Sequence, residues 1–299
     1  MLSILIPVYN YDVRMLVSLL NQQCTDACIP FEIIVMDDGS DQEIIQLHKE
    51  IRSFPAVKFI VNEKNTGRAA IRNRLTREAS YNWLLFLDCD GMPVTNHYIS
   101  TYLAYSKTRQ GVICGGRIYP EQQPKADRIL HWLYGKKNES KPATIRQIKP
   151  YRSFMTSNFM IEKGILIKYP FDESITGYGH EDTVFGLQIK QLGVPVIHIN
   201  NPVIHNQLEP AAVFLSKSAQ AVQNLAMLTI KYPALKNEVT LLRWYFGFFR
   251  FIARPVAVLA VKTEPVIITL LSGAHPWLWL FPVFKLGCLK KTLRDRPAL

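Results

Sequence analysis

The sequence predicts an α/β fold, a mainly parallel sheet flanked by helices, with an apolar helical segment at its C-terminal end. Three observations carry that expectation. Short apolar runs alternate with helix-period stretches through the first hundred residues. Polar clusters rich in Asp, Asn and Gly follow those runs, where an α/β sheet binds its ligands. Residues 241–299 then turn apolar, aromatic and basic.

In chain order, Ser3–Val8 reads as a strand, Arg14–Gln22 as a helix, Phe31–Met36 as a strand and Gln42–Arg52 as a helix. Val57–Val61 reads as a strand, Arg68–Ala79 as a helix and Trp83–Leu87 as a strand. This β-α-β-α-β-α-β series implies parallel strands joined by helical crossovers. From about residue 111 the pattern breaks into strands and long loops. A helix is expected over Asp182–Gln191, ended by Gly193, and a strand near Val196–Ile199. The expected organisation is one catalytic domain over 1–210 and a C-terminal helical region over 211–299.

With 299 residues and 48% hydrophobic side chains, the chain has ample material for a core, and disorder is not the default reading. Five scattered cysteines do not make a disulfide framework and fit a reducing compartment. The start, Met1-Leu2-Ser3-Ile4-Leu5-Ile6-Pro7, enters a strand at once without the parts of a secretory signal. The formal net charge is +11, and residues 241–299 hold nine Lys or Arg against only Glu264 and Asp295. Nucleic acid is not the expected partner of this excess, because the basic residues are not interleaved with stacking aromatics on a nucleic-acid motif.

The chemistry lies at the strand ends. The first strand leads into Pro7-Val8-Tyr9-Asn10 and the second into Asp37-Asp38-Gly39-Ser40. A carboxylate there can accept hydrogen bonds from a base or ribose, although an ordinary turn explains the same residues equally well. The GxGxxG fingerprint of a dinucleotide site is missing. After the third strand, Asn65-Thr66-Gly67-Arg68 opens a helix bearing Arg72 and Arg74. That suits a diphosphate, or a solvated basic face. The fourth strand runs directly into Asp88-Cys89-Asp90, and two carboxylates ending a buried run call for a positive compensator. Mg²⁺ or Mn²⁺ is the natural choice for oxygen ligands. Downstream, Glu181-Asp182 opens a helix, where acids also serve as caps, and His205 follows an apolar stretch.

Together, Pro7-Val8-Tyr9-Asn10, Asp37-Asp38-Gly39-Ser40, Asn65–Asn73, Leu87-Asp88-Cys89-Asp90 and Gly177–Asp182 resemble the GT-A fold inverting glycosyltransferases of family 2. The likeness runs over about residues 1–210 and is nearest to the chondroitin-polymerase and galactosyltransferase-like branch. The resemblance implies a nucleotide-sugar donor, a UDP-sugar, and a saccharide or lipid-linked saccharide acceptor in polysaccharide assembly. By that resemblance Pro7, Tyr9 and Asp38 hold the uridine, Arg72 lies near the nucleotide or diphosphate, and Asp88 contacts ribose or metal. Asp90 and His205 ligate Mn²⁺ or Mg²⁺, and Asp182 is the general base, with Glu181 and Tyr178 beside the acceptor. Ser157 and Asn158 match a stretch that lines the donor-sugar pocket. A sugar-nucleotide pyrophosphorylase shares such a sheet but carries a Gly-rich loop with an Arg after the first strand, where this chain has Tyr9-Asn10-Tyr11-Asp12. A nucleotide-sugar-binding protein without transfer activity is the other alternative.

The C-terminal segment is read as a membrane-associating unit. Pro265–Phe284 is nearly long and apolar enough to span a bilayer, but Gly273, His275, Pro276 and Pro282 interrupt it. An in-plane or re-entrant unit is expected instead, peripheral on the cytoplasmic face, with Trp at the interface and basic residues on anionic lipid. A buried helical subdomain or an oligomer interface is the competing reading.

Overall fold

The chain is described by a computed structural model that covers residues 1–175 and 177–296. The last three residues of the expected C-terminal region lie outside the described residues. Two compact units are present. The first comprises Met1–Pro120, Ser140–Thr176 and Glu181–Gln207; the second comprises Glu121–Glu139, Gly177–His180 and Leu208–Leu299.

Among the described residues the first unit holds ten strands: β1 (Leu2–Val8), β2 (Phe31–Asp37), β3 (Val57–Val61), β4 (Trp83–Leu87), β5 (Gly91–Pro93), β6 (Val112–Cys114), β7 (Arg117–Ile118), β8 (Asn158–Glu162), β9 (Val196–His198) and β10 (Val203–His205). Seven form one sheet in the order β3-β2-β1-β4-β8-β6-β9. β8 alone runs against its neighbours, pairing antiparallel with β4 and β6. The other pairs are parallel, as the alternating sequence demands. A small second sheet, β5-β10-β7, forms beside the end of β4.

β1 is apolar on both faces because both are covered. Leu2, Ile4, Ile6 and Val8 join Leu16, Val17 and Leu20 of the Arg14–Asp26 helix and Tyr98, Ile99 and Tyr102 of the Tyr98–Ser106 helix. Leu5, on the opposite face, joins Ala69, Ile71 and Leu75 of the Arg68–Glu78 helix and Phe185 and Ile189 of the Glu181–Gln191 helix. Each of the Leu, Ile, Val and Phe side chains contributes about 1.5–3 kcal/mol on burial. The two helices that bear site residues are therefore fixed to one face of one sheet. The predicted helix over Gln42–Arg52 is α-helical only to Leu47 and tightens into a 3₁₀ turn over His48–Ser53.

The second unit is helical: Ile129–Tyr134, Ala211–Lys231, Arg250–Lys262, Glu264–Ser272 and Leu280–Asp295 are its main elements. The apolar run from Pro265 to Phe284 is broken between Ser272 and Leu280, where Gly273 and Pro276 stand. Among the described residues no single helix is long and apolar enough to cross a membrane. One pair, Thr240–Phe246 with Arg250–Lys262, passes that test together but is bent by 103°.

Candidate active site

The ends of β1, β2 and β3 are stitched together by polar contacts. Asn10 sits at φ 49° and donates its N–H to Ser40 Oγ at 2.8 Å, while its Oδ1 accepts the Asp41 N–H at 2.8 Å. Gly39 is required by both conformation and space: its φ is +81°, and a Cβ there would lie 2.9 Å from the Lys64 carbonyl carbon. Tyr9 at the same edge is 53% exposed and Pro7 is half-buried.

Asp38 has a task that the sequence did not announce. Its Oδ1 accepts from Asn62 Nδ2 at 2.9 Å, Thr66 N–H at 2.9 Å and Thr66 Oγ1 at 2.7 Å, and its Oδ2 accepts the Gly67 N–H at 3.0 Å. Three of these donors share Oδ1 and one reaches Oδ2, so the carboxylate is held mainly through one oxygen. Asp38 thus clamps the loop leading into the Arg68–Glu78 helix.

That helix reaches two acids from successive turns. Arg72, 2% exposed, pairs with Asp88 at 2.6 Å and also donates to the Arg68 carbonyl at 3.1 Å. Arg68 pairs with Glu181 at 3.2 Å. The spacing of four residues places both guanidinium groups on one side of the helix. Asp88, named above for ribose or metal, is therefore engaged by Arg72 in this structure.

Asp90 and His205 stand apart from this ladder. β10 pairs antiparallel with β5 so that His205 lies opposite Gly91, and the Asn206 N–H donates to the Asp90 carbonyl at 3.1 Å. This register carries His205 Nδ1 to 3.2 Å from Asp90 Oδ2, with both side chains largely buried. Tyr119 packs edge-on against the His205 ring at 5.3 Å. Among the described residues no group of three or more His, Cys, Asp or Glu is placed to hold a metal. The pair offers one oxygen and one nitrogen, which suits a divalent cation that draws its remaining positions from phosphate and water.

Glu181 and Asp182 begin the Glu181–Gln191 helix and differ sharply in environment. Burial pushes the Glu181 carboxyl up, but the Arg68 and Arg72 charges outweigh it and hold it below the ordinary value. Asp182, enclosed by protein although its edge meets solvent, is pushed up to about 6, first by burial and then by the charge of Glu181. The Thr183 N–H and hydroxyl and the Arg117 charge pull the other way without prevailing. Arg117 acts on Asp90 in the same sense.

Ser157 and Asn158 part company. Ser157 is 6% exposed and its hydroxyl, buried without a hydrogen-bond partner, stands next to β8; its carbonyl accepts the Asp88 N–H at 3.0 Å. Asn158 is a hub of the core. Its Oδ1 accepts the Tyr98 and Tyr102 hydroxyls, both at 2.7 Å, and its Nδ2 donates to the carbonyls of Gly116 at 2.8 Å and Asn201 at 3.0 Å. Asn158, matched above to a sugar-pocket stretch, is directed inward by the β4–β8–β6 pairing, and every polar position of its amide is used within the chain. Tyr178 belongs to the second unit, half-buried, with Lys217 Nζ 5.4 Å from its ring centroid.

Arg68 and Arg117 were not singled out by the sequence as partners of these acids. The only local signal for Arg117 is its place after Gly115-Gly116, and its role depends on β7 pairing with β10.

Residues 3–169 match the family model described as glycosyl transferase family 2. A chondroitin synthase of Escherichia coli is 28% identical over 242 residues, which cover 70% of this chain and 35% of that protein. YfnE, an uncharacterized glycosyltransferase of Bacillus subtilis, is 26% identical over 286 residues, covering 79% of this chain and 71% of that one. The chain thus spans about a third of the length of the chondroitin synthase. Among solved structures, the mannosyltransferase PcManGT of Pyrobaculum calidifontis, in complex with GDP-Man and Mn²⁺, superposes with a TM-score of 0.58 at 13% identity, covering 99% of this chain and 87% of that one. Glucosyl-3-phosphoglycerate synthase of Mycobacterium tuberculosis, with Mn²⁺, UDP and glucosyl-3-phosphoglycerate, gives 0.52 at 14% identity, covering 77% of this chain and 79% of that one. These likenesses show the fold, which is that of the GT-A glycosyltransferases.

Proposed function

The chain belongs to glycosyl transferase family 2, and from that premise we propose that it transfers a sugar, with inversion, from a UDP-sugar to a hydroxyl of a saccharide or lipid-linked saccharide in glycan assembly. The observation that carries this reading is the split between two neighbouring acids. Glu181 is held ionised by Arg68 and Arg72, whereas Asp182 is raised to about 6, close to where a base must work at neutral pH. Two adjacent carboxylates with such different proton affinities suit different roles.

Inversion calls for attack on the anomeric carbon from the face opposite the departing nucleoside diphosphate. Asp182 takes the proton of the attacking hydroxyl, a contribution of about 10²–10⁴ in rate. Glu181 stays charged and holds Arg68 in place. Arg72 fixes Asp88 at the end of β4, and the Ser157 hydroxyl beside it is buried with its hydrogen-bonding capacity unused, which in this reading a donor-sugar or ribose oxygen takes up. Asp90 and His205 hold Mn²⁺ or Mg²⁺ in this reading. The cation, when bound, supplies neutralising charge for the diphosphate. Support for a nucleotide-linked donor and a divalent metal comes from the two solved structures, bound to GDP-Man or UDP with Mn²⁺.

The test is a panel of nucleotide sugars offered to the full chain with and without Mn²⁺, reading released nucleoside diphosphate. One UDP-sugar is expected to be turned over, with activity abolished by chelator and lost in Asp182→Asn. Turnover that persists in Asp182→Asn within a few-fold of wild type would remove the base assignment.

A further inference from the structure

The second unit contains a helix built inside out. In the Arg250–Lys262 helix the buried residues are Ala253, Ala257 and Ala260, while Phe251 is 75%, Ile252 59% and Leu259 61% exposed. A helix on a water-facing surface normally does the reverse. The alanine stripe allows close approach to the Leu280–Asp295 helix, where a Cβ built on Gly287 would meet the Ala260 Cβ at 3.1 Å. Phe248, Val266, Trp277 and Trp279 on neighbouring segments are also more than half exposed. Apolar exposure of this extent marks an interaction surface.

A cleft of about 620 Å³ lies within the same unit, its wall including Tyr134, Lys137, Trp244, Ile252, Trp279 and Lys285. That volume is in the range of about 300–1,000 Å³ typical of ligand sites. Trp244, Ile252 and Trp279 both line the cleft and are exposed, so its mouth opens among the unburied apolar residues. Of the two lysines on its wall Lys285 is the more buried: Nζ lies 4.4 Å from the Phe281 ring centroid, 5.0 Å from that of Tyr134 and 3.5 Å from the Tyr134 hydroxyl. Burial lowers its pKa to about 8, with the Glu139 charge acting in the opposite sense. At neutral pH it is still mostly a cation, held in a poorly solvated place.

We propose that this cleft takes up one anionic lipid from a bilayer on which the inverted helix rests, its apolar chain between Trp244, Ile252 and Trp279 and its phosphate at Lys285. Charge decides between a bilayer and a second copy of the chain as occupant. Arg243, Arg250, Arg254 and Lys262 lie on or beside the apolar segments, so a second copy brings like charge to like, whereas an anionic leaflet attracts each basic residue near its surface. The inference does not depend on the sugar chemistry proposed above.

The experiment uses the full chain with vesicles of phosphatidylcholine alone and of phosphatidylcholine mixed with phosphatidylglycerol. Flotation is expected to show at least about tenfold tighter binding to the anionic vesicles, and the double variant Phe251→Ser/Ile252→Ser is expected to lose it. Protein recovered from the vesicles and analysed by native mass spectrometry should retain one phosphatidylglycerol. Lys285→Met, which keeps the cleft filled and apolar, should lose that lipid while still floating, and Lys285→Arg should restore it. Unchanged circular dichroism in each variant separates these losses from misfolding. Equal binding to both vesicle types, full retention of lipid in Lys285→Met, or displacement of the lipid by glycerol phosphate alone would overturn the proposal. So would a dimer that ignores vesicles and dissociates in the Phe251→Ser/Ile252→Ser variant.

Discussion

Asp90 Oδ2 and His205 Nδ1 stand 3.2 Å apart although 115 residues separate them in the chain, and the antiparallel pairing of β5 with β10 puts them there. A short register of three residue pairs fixes the geometry of the candidate metal centre. His205→Ala removes the nitrogen donor and leaves the strand intact. It is expected to weaken Mn²⁺-dependent donor binding by about 10–100-fold with little change in the thermal midpoint. Calorimetric titration of donor with and without Mn²⁺ reads this, and an unchanged metal dependence would count against the pair as ligands.

With Asp182 as the proposed base, the acid limb of the pH profile is expected to follow its carboxyl. Its folded pKa is raised, so it is protonated below about 6 and unable to accept a proton there. The rate should rise tenfold per pH unit up to about 6 and level off above it. The same shift has a stability consequence of definite sign. A raised carboxyl favours the folded state at low pH, and that contribution is lost as pH rises from the unfolded value through 6. Asp182→Asn should therefore be inactive yet at least as stable as wild type, with its advantage in thermal midpoint growing between pH 4 and pH 7.

Arg72 and Asp88 form an unequal pair. The Arg72 side chain is 3% exposed and that of Asp88 25%, so a lone arginine has less water to turn to than a lone aspartate. Asp88→Ala should cost more stability than Arg72→Met, with the larger loss on the order of 3 kcal/mol. Urea denaturation of both variants and of the double variant checks the order and the coupling. Equal losses would show that Asp88 does not govern the folding of this arginine.

Asn158 and Ser157 separate stability from recognition. Asn158→Ala strands two tyrosine hydroxyls and two carbonyls in the core and should cost about 3–5 kcal/mol. Ser157→Ala removes a hydroxyl that has no partner, and stability should change by less than about 0.5 kcal/mol. The expected effect of Ser157→Ala is on KM for the donor sugar. A normal KM in that variant would leave the hydroxyl without a role in binding.

The alternation of apolar runs and helix-period stretches gave the strand and helix order of the first hundred residues, because a buried parallel strand must be apolar on both faces. β1 and the Arg14–Asp26 and Arg68–Glu78 helices appear where that pattern puts them. The motifs were legible as positions at strand ends. Their partners were not: nothing local to Asp38 reveals that four donors of the next loop occupy it, and nothing local to Asn158 reveals that it faces inward. The inverted Arg250–Lys262 helix was likewise visible only as an apolar, basic stretch.

By itself the sequence determined the layered α/β plan and the family, since local periodicity and ordered motifs are properties of the chain alone. Tertiary structure decided which carboxylates remain open and which are used up. Arg68 meeting Glu181, Arg72 meeting Asp88 and His205 meeting Asp90 depend on hydrogen-bond register and helix packing between distant segments. Charge at a buried site is set by what stands within a few ångströms of it, and only the folded chain fixes those distances.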